Sequence, residues 1–331
     1  MSNKNTKILE LNDPEASFII GEKFATEIQK AVSSISTLDK NFYLMKQKLI
    51  KTYPEYYQEV CQRAKGAKVD PDKYLTYVSC ELREQALEKC TDILIKKDDG
   101  TILLGHNEDG EYNKNNSSLI KHLTQKGWYI EFACTDSLAG TSYWWNSSGL
   151  IFTMNYIYTN HQEMNEISSW FVLRDIVESG SLNEVLKKIK KVKSASGFNI
   201  NLINTNTNKV YSIEYYINQI NVVEITDKFI HTNHFLHLEK GYYPKNSNTF
   251  NRFEHCGHII DKLDKNIISS EDIKTILEYR NDDYMHTVHV DAGDNKKSSE
   301  TLTSSLFLFD SSQKQIQIYD YINKQKIIFK I

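Results

Sequence analysis

The sequence predicts an α+β fold in which two antiparallel sheets pack together between layers of helices. The first quarter of the chain, residues 16–88, carries apolar residues such as Phe24, Ile28, Val32 and Ile35 at helical spacing. Short runs rich in Ile, Leu, Phe, Tyr and Trp, separated by Gly, Asn and Ser, then alternate with pairs of helical segments. Because each sheet must cover its outer apolar face, this alternation favours two stacked sheets with helices on the outside.

The predicted elements follow one another along the chain with few breaks. Strand-and-turn composition covers residues 90–158, and helices are expected at residues 164–179 and 181–190. The later predicted elements are strands at 198–203, 210–215, 220–224 and 229–232, helices at 248–263 and 270–279, and strands at 302–310, 315–319 and 326–330. No internal repeat or low-complexity linker separates them. We therefore divide the chain once, into a helical leader (residues 1–89) and a second domain (residues 90–331).

Composition and charge exclude several classes of protein. Of 331 residues, 40% are hydrophobic and 25% charged, which is ordinary globular composition. Forty basic and 43 acidic residues give a net charge of −3, and the basic residues are scattered, so no nucleic-acid partner is expected. An odd number of cysteines, five, without close pairs disfavours a disulfide scaffold. No signal-peptide or membrane-spanning stretch is visible, so we expect a soluble cytoplasmic protein without a membrane partner.

The most informative stretch begins at Cys90 and is predicted to be a β-hairpin that ends at Asp109. Two apolar runs flank the turn Asp98-Asp99-Gly100-Thr101, and Asp-Gly between apolar runs is a good hairpin signal. Pairing Leu94 with Leu103 or a nearby residue places Cys90 and residues 106–109 at the same end of the ribbon, so the Cys90 thiol and the Asp109 carboxylate are predicted to be neighbours. A cysteine at the mouth of a strand, with an acid opposite, is suited to nucleophilic catalysis.

A series of short motifs is spread over most of the chain. They are Tyr53-Pro54-Glu55-Tyr56-Tyr57, Ala64-Lys65-Gly66-Ala67, Cys90-Thr91, Gly105-His106-Asn107-Glu108-Asp109, residues 149–155, Arg174, Ser196-Gly197, Glu214, His231-Thr232-Asn233-His234, Asn251-Arg252 and residues 303–310. In this order they resemble the isopenicillin N acyltransferase family of N-terminal-nucleophile (Ntn) cysteine amidohydrolases, relatives of penicillin V acylase and bile-salt hydrolase. The resemblance implies a four-layer αββα Ntn-hydrolase sandwich with a helical N-terminal leader.

The resemblance also implies roles for three residues. In the family the nucleophile becomes an N-terminus by self-cleavage, and its α-amine, whose pKa is ordinarily about 7.7 to 8.0, then takes the proton of the nucleophile. Cys90 would be this nucleophile after scission of the bond that follows Lys89. Asp109 would orient the freed amine, and the side-chain amide of Asn233 would stabilise the oxyanion. A plainer alternative is that Asn233 caps the turn after its strand.

Four further residues are candidates for the substrate or oxyanion region. His106 occupies the place of a family arginine, Asn155 ends the 149–155 motif, His231 opens the asparagine motif, and His289 lies in a segment that precedes the closing strands. A second family arginine, expected just before residue 303, is also missing. The sequence has Glu300 near that place, with Lys296 and Lys297 upstream, which favours a substrate with an amine or neutral group at that end.

A metal centre is not expected. His231, His234 and His237 form an HxxHxxH string, but no acid or cysteine at ligand spacing accompanies it, and strand-then-turn geometry would scatter the three rings. We therefore expect no metal and no cofactor.

The expected activity is that of a cysteine-dependent amidohydrolase or acyltransferase. It would act on a linear amide, an N-acyl or aminoacyl amine, through a thioester on Cys90, with a small-molecule amide or acyl donor as partner. Two alternatives stay open. One is an uncleaved cysteine acyltransferase whose base is a histidine such as His106 or His231, and the other is a catalytically silent binding module. A homo-oligomer is compatible with the sequence.

Overall fold

The computed structural model describes residues 8–12, 15–35, 38, 40–82, 89–110, 117–157, 159, 162–238, 248–290 and 302–331. In chain order the strands are β1 (Leu9–Asn12), β2 (Lys89–Lys96), β3 (Ile102–Gly110), β4 (Ser117–Thr124), β5 (Gly127–Cys134), β6 (Tyr143–Asn146), β7 (Leu150–Ile157), β8 (Gly197–Asn204), β9 (Lys209–Tyr216), β10 (Gln219–Glu224), β11 (Lys228–His231), β12 (Leu302–Asp310), β13 (Gln315–Asp320) and β14 (Gln325–Lys330). The helices are α1 (Ala16–Lys23), α2 (Ala25–Ser33), α3 (Lys40–Thr52), α4 (Pro54–Ala67), α5 (Pro71–Tyr77), α6 (Ser169–Ile176), α7 (Leu182–Ile189), α8 (Thr249–Lys262) and α9 (Ser270–Leu277), with short 3₁₀ turns at Cys80–Leu82 and Tyr284–His286.

The described strands form two sheets. One has the order β1-β4-β5-β6-β7-β8-β9-β10 and the other β11-β2-β3-β12-β13-β14. All neighbouring strands are antiparallel except β1 and β4, which run parallel. Strand β1 was not predicted, because four residues are too few to show a clear alternation. It pairs with β4, which lies more than a hundred residues later in the chain.

The two sheets and their helices stack in four layers. Apolar side chains such as Leu104 and Ile151 fill the space between the sheets. Helices α6 and α7 cover the outer face of the eight-stranded sheet, with Val172 and Val185 in that core. Helices α8 and α9 cover the six-stranded sheet, with Cys256 among the buried residues. This αββα arrangement confirms the predicted α+β sandwich.

The space between the sheets is apolar at one end and polar at the other. Register across β7, β8 and β9 aligns their inward-facing residues in rows, because alternate residues of a strand share a face. From the apolar core outwards, the rows are Ile151, Ile203 and Val210; then Thr153, Asn201 and Ser212; then Asn155, Asn199 and Glu214. All of these residues are buried. The polar rows lie toward the end at which β2 begins.

The leader is helical, as predicted, and it is packed onto the rest of the chain. Its helices share one core with Ile120, Ala133, Leu138 and Phe171 from the later part of the chain. Arg63 of α4 is buried and donates hydrogen bonds to the carbonyl oxygens of Ser137 and Leu138, at 2.5 and 3.1 Å. The predicted helical residues 83–88 lie outside the described part of the chain. None of the described helices is both long enough and apolar enough to cross a membrane.

Candidate active site

The hairpin of β2 and β3 forms as predicted, but its register differs by one residue. Leu94 pairs with Leu104, so Cys90 lies opposite Glu108, and Asp109 lies opposite Lys89. The partner of Leu94 was expected at or near Leu103, and it is Leu104 because the connecting loop spans five residues, 97–101. A slip of one residue exchanges the two faces of a strand. The carboxylate that faces Cys90 across the ladder is therefore that of Glu108.

Four side chains of this hairpin point into the polar end of the sandwich. Cys90 and Asp92 come from β2, and His106 and Glu108 from β3, and each is at most 2% exposed. The Cys90 Sγ atom lies 3.8 Å from Glu108 Oε2. The same carboxylate oxygen lies 3.2 Å from His106 Nε2, and His106 Nδ1 lies 3.0 Å from Asp92 Oδ1. Thiol, carboxylate, imidazole and carboxylate thus form one continuous buried chain.

The surroundings of His106 favour the positively charged form of its imidazole. Burial alone would lower the pKa of its imidazole, but the carboxylates of Asp92 and Glu108, one on each ring nitrogen, outweigh burial and raise the pKa to about 10. The imidazolium therefore supplies a cation at the position where the resembling family has an arginine. Its two donors point to opposite sides, so it cannot make the two parallel bonds of a guanidinium fork.

Asn233 reaches the backbone of the candidate nucleophile. Its Oδ1 atom accepts a hydrogen bond from the Cys90 N–H at 3.1 Å and another from Arg252 Nη2 at 2.6 Å. Its Nδ2 atom donates to the carbonyl oxygen of Tyr156 at 2.9 Å. An amide nitrogen carries two hydrogens, so Nδ2 can donate one further hydrogen bond.

Arg252, on α8, holds these parts together. Its guanidinium is buried and donates from Nη1 to the Cys90 carbonyl oxygen at 2.6 Å and to Thr91 Oγ1 at 2.7 Å. Its Nε atom donates to Asn248 Oδ1 at 2.9 Å. In the sequence Arg252 was noted as part of a motif without a role. Its position, bonded to both Cys90 and Asn233, ties helix α8 to the start of β2.

The other three predicted candidates, Asn155, His231 and His289, lie in three different surroundings. Asn155 is fully buried in the polar row of β7, and neither atom of its amide has a hydrogen-bond partner among the described residues. The Nε2 atom of His231 lies 3.2 Å from Glu214 Oε1, and its Nδ1 atom lies 2.6 Å from the Thr232 carbonyl oxygen. His289 packs against the ring of Tyr321, with 4.7 Å between ring centroids, near the turn that joins β13 and β14.

Sequence reasoning missed Asp92 and Glu108 as members of the site. Both occupy even-numbered positions that share a face with Cys90 and His106, and the next inward residue of β2 is the apolar Leu94. Charged residues on an inward face are unusual, so carrying the strand alternation through the motif would have singled them out.

The same cluster contains potential metal ligands. The Cys90, His106 and Glu108 side chains each offer one ligand atom, and these three atoms lie within 4.8 Å of one another. Among the described residues, this is the one group of three such side chains close enough together to hold a metal ion. His234 of the HxxHxxH string instead places its Nδ1 atom 3.0 Å from the hydroxyl oxygens of Thr232 and Thr249.

A cavity of about 1100 Å³ opens elsewhere, toward the apolar end of the sandwich. Trp128, Trp145, Phe309 and Phe329 line it, together with Gly100 of the hairpin turn. Because the turn is the end of the hairpin opposite to Cys90, this cavity is separate from the candidate site.

Comparison with protein families and known structures identifies the family. The model of the acyl-coenzyme A:6-aminopenicillanic acid acyl-transferase family matches residues 95–320, beginning just after the predicted nucleophile. No curated protein matches the sequence. Among solved structures, the fold is similar to a mutant of the conjugated bile acid hydrolase from Clostridium perfringens, with 14% identity over 73% of this chain and 92% of that one and a TM-score of 0.47.

Two further structures are similar to this chain. A second variant of the same Clostridium perfringens hydrolase has 15% identity, the same coverage and a TM-score of 0.49. Penicillin V acylase from Agrobacterium tumefaciens has 9% identity over 73% of this chain and 86% of that one, with a TM-score of 0.44. The family match spans more than half of the chain and confirms the resemblance carried by the motifs. The chain therefore belongs to the acyl-coenzyme A:6-aminopenicillanic acid acyl-transferase family.

Proposed function

We propose that this chain cleaves a linear amide, an N-acyl or aminoacyl amine, through a thioester on Cys90. The observation that carries the proposal is the contact between the Cys90 backbone N–H and Asn233 Oδ1, at 3.1 Å. It joins a cysteine at the start of a strand to an asparagine 143 positions away, and both residues are 1% exposed. A buried polar contact over such a separation is costly to build and suits a site in which thiol and amide act on one group.

The reaction follows from these positions. The Cys90 thiolate attacks the acyl carbon, and the carbonyl oxygen gains the negative charge that the second Nδ2 hydrogen of Asn233 can stabilise. The C–N bond then breaks, and the amine leaves with a proton. Water or a second amine attacks the resulting thioester and releases the thiol. Hydrolysis and acyl transfer differ only in this last nucleophile.

We propose that the base is the α-amine of Cys90, freed by self-cleavage. The thiol would attack the Lys89 carbonyl carbon, the peptide nitrogen would leave as the new amine, and water would hydrolyse the thioester. Asp109 would hold that amine; in the ladder it lies opposite Lys89, the residue before the scissile bond. Cleavage would yield a leader of residues 1–89 and a catalytic domain of residues 90–331.

The contacts of His106 and His231 support the assignment of the α-amine as the base. Both ring nitrogens of His106 face carboxylates, and both ring nitrogens of His231 face oxygen acceptors, on Glu214 and Thr232. A histidine whose nitrogens are both held by acceptors is poorly placed to take a proton from a thiol.

The polar rows support a substrate with hydrogen-bonding groups. Asn155 and Asn201 are buried, and neither side-chain amide has a hydrogen-bond partner among the described residues. Buried polar groups of this kind are normally satisfied by protein, water or ligand. An acyl or amine portion with amide, hydroxyl or amino groups would supply their partners. Lys296, Lys297 and Glu300, expected near the substrate, lie outside the described residues.

A second candidate function is the uncleaved cysteine acyltransferase. The observation that favours it is the 3.8 Å separation of Cys90 Sγ and Glu108 Oε2, because Glu108 could accept the thiol proton without any free amine. The imidazolium of His106 would stabilise the Glu108 carboxylate before it takes the proton and again after the proton has passed to the leaving amine. A cytoplasmic location and a homo-oligomer remain predictions for either candidate.

The test is a denaturing gel and intact mass of purified wild-type protein, followed by an acyl-amide library read by amine release. The cleaved candidate predicts a fragment whose N-terminal sequence is Cys-Thr-Asp-Ile, a single full-length band for Cys90→Ala, and slow processing for Asp109→Asn. Cys61→Ala, in leader helix α4, is the matched control and should be cleaved like wild type. Turnover by a full-length wild-type chain would support the uncleaved candidate. A chain that is neither cleaved nor active would overturn both in favour of a silent binding module.

A further inference from the structure

We propose that Cys90, His106 and Glu108 form a binding site for a divalent transition-metal ion, in the first place Zn²⁺, and that the ion reversibly blocks the nucleophile. The site itself rests on geometry alone, whereas the inhibition rests on the proposed function. Three different ligand types, a thiol, an imidazole and a carboxylate, converge here from two paired strands. All three side chains are buried.

The spacing of the ligand atoms suits a small tetrahedral ion. Zinc bonds sulfur at about 2.3 Å and nitrogen or oxygen at about 2.0 to 2.2 Å, so the ligand atoms of a tetrahedral site lie about 3.3 to 3.8 Å apart. Here Glu108 Oε2 lies 3.2 Å from His106 Nε2 and 3.8 Å from Cys90 Sγ. The third separation, between Sγ and Nε2, is within 4.8 Å. Binding therefore needs only a small closure of the cysteine toward the histidine.

Asp92 supplies the support that a metal-bound histidine normally has. Its Oδ1 atom lies 3.0 Å from His106 Nδ1, which leaves Nε2 as the ligand, and a carboxylate on the opposite nitrogen is the usual partner of such a histidine. Asp92 is fully buried, and its Oδ2 atom has no hydrogen-bond partner among the described residues. Among the described residues, Asp92 therefore contacts the imidazole of His106 through Oδ1 and makes no hydrogen bond through Oδ2.

The charges of the cluster also favour a cation. Two buried acidic side chains, Asp92 and Glu108, flank the imidazole of His106, and Glu108 also contacts the thiol of Cys90. A metal ion binds the thiolate and the neutral imidazole, so any proton on Sγ or Nε2 would pass to solvent on binding. The fourth position of a tetrahedron stays open for water.

The ligand set also selects the metal. A thiolate and an imidazole favour Zn²⁺ and Co²⁺, whereas Mg²⁺ and Ca²⁺ prefer oxygen ligands and would lose most of their bonds here. A thiolate that shares an electron pair with the ion is a weaker nucleophile toward an acyl carbon. Transition-metal ions would therefore inhibit turnover, and a chelator would restore it.

The test uses the full purified chain and Co²⁺ as the probe, because a thiolate bound to Co²⁺ gives a charge-transfer absorption band in the near ultraviolet. Wild type and Cys61→Ala should show this band at one ion per chain, and Zn²⁺ but not Mg²⁺ should abolish it. Cys90→Ala should lose the band entirely. His106→Ala and Glu108→Gln should weaken Co²⁺ binding at least tenfold, since each removes one ligand.

A second measurement does not depend on whether a variant folds. Zn²⁺ should protect Cys90 of the wild-type chain from a thiol reagent, read by peptide mass, while labelling of Cys61 continues. Absence of the band and of protection in wild type would overturn the site, and so would a band that persists in folded Cys90→Ala. Neither readout requires turnover, so an inactive chain that binds Co²⁺ would reject the proposed function and keep the metal site.

Discussion

Arg252 fixes the orientation of the Asn233 side chain. A guanidinium carries donors only, so the atom of Asn233 that lies 2.6 Å from Arg252 Nη2 must be the amide oxygen. The amide nitrogen then points to the Tyr156 carbonyl oxygen, at 2.9 Å. The Asn233 side chain therefore contacts Tyr156 and Arg252, which are distant in sequence. These contacts argue against the alternative that Asn233 merely caps its own turn.

Replacing Asn233 by alanine should lower kcat by about 10² to 10³, because loss of one oxyanion donor has that effect in related chemistry. KM should change much less, since the donor matters most when negative charge develops. Steady-state kinetics on the best amide from the library is the measurement. The matched control is Thr249→Val, which removes the acceptor of the Asn233 backbone N–H, 2.9 Å away, and keeps the side-chain amide. If both variants lose stability and neither loses kcat, Asn233 is structural.

Cys90→Ala should abolish turnover and leave the fold intact, because the thiol contributes little packing. Labelling of the native wild-type chain at neutral pH should occur at Cys90 faster than at Cys256, where burial raises the pKa of the thiol to about 12 and keeps it protonated. Circular dichroism and peptide mass after labelling are the measurements. Activity that survives in the alanine variant, with Cys134 or Cys256 labelled first, would show that the nucleophile lies elsewhere.

The fold could be predicted closely because each element has its own local signal. Strand β12 begins and ends as predicted, at Leu302 and Asp310, and the other predicted strands after residue 190 differ from the observed ones by at most one residue at each end. β1 escaped because its partner β4 lies more than a hundred residues away.

Several residues of the candidate site could be predicted from the sequence, but the contacts between their side chains could not. The motifs named Cys90 and Asn233, but the register of one hairpin decides whether Glu108 or Asp109 faces the thiol. Register depends on the length of the turn, which Asp99-Gly100 indicates only to within a residue. The role of Arg252 depends on where helix α8 lands against β2, which is a tertiary contact without a local signal.

Asn155→Ala should separate activity from stability. The amide of Asn155 has no hydrogen-bond partner among the described residues, so removing it eliminates buried polar atoms whose desolvation costs about 1 to 3 kcal/mol. This gain offsets the loss of packing, and Tm should not fall. If the amide binds substrate, kcat/KM should drop at least tenfold. A variant with unchanged kcat/KM would remove Asn155 from the site, and calorimetry together with kinetics distinguishes the outcomes.

The free energy of unfolding should depend on pH through Glu214. Burial alone would raise the pKa of Glu214, but hydrogen bonds from His231 and from the backbone N–H groups of Leu236 and His237 outweigh burial and hold the pKa below its ordinary value. A lowered folded-state pKa means that the carboxylate stabilises the fold above the unfolded pKa of about 4.3 and loses this effect as pH falls through the folded value.

Glu214→Gln should therefore destabilise the protein by about 1.5 to 3 kcal/mol at neutral pH, the range for hydrogen bonds to a charged group. The difference from wild type should shrink as pH falls below about 4.3. Denaturant unfolding at several pH values is the measurement. Equal pH slopes for the two proteins would mean that Glu214 does not titrate with folding.

The leader should be sensitive to a single methyl group where its helices cross. A Cβ atom added to Gly66 of α4 would lie 2.1 Å from the Phe18 carbonyl oxygen of α1, and that atom is backbone and cannot turn away. Gly66→Ala should therefore force the helices apart and destabilise the chain by more than about 2 kcal/mol, as overpacking does. Gly257→Ala in α8 is the matched control, because its Cβ would meet nothing closer than Ile230 Cδ1 at 4.0 Å. That change should stabilise by up to about 1 kcal/mol through helix propensity. Thermal unfolding of both variants checks the contrast, and equal Tm values would mean that α1 and α4 do not make this contact in solution.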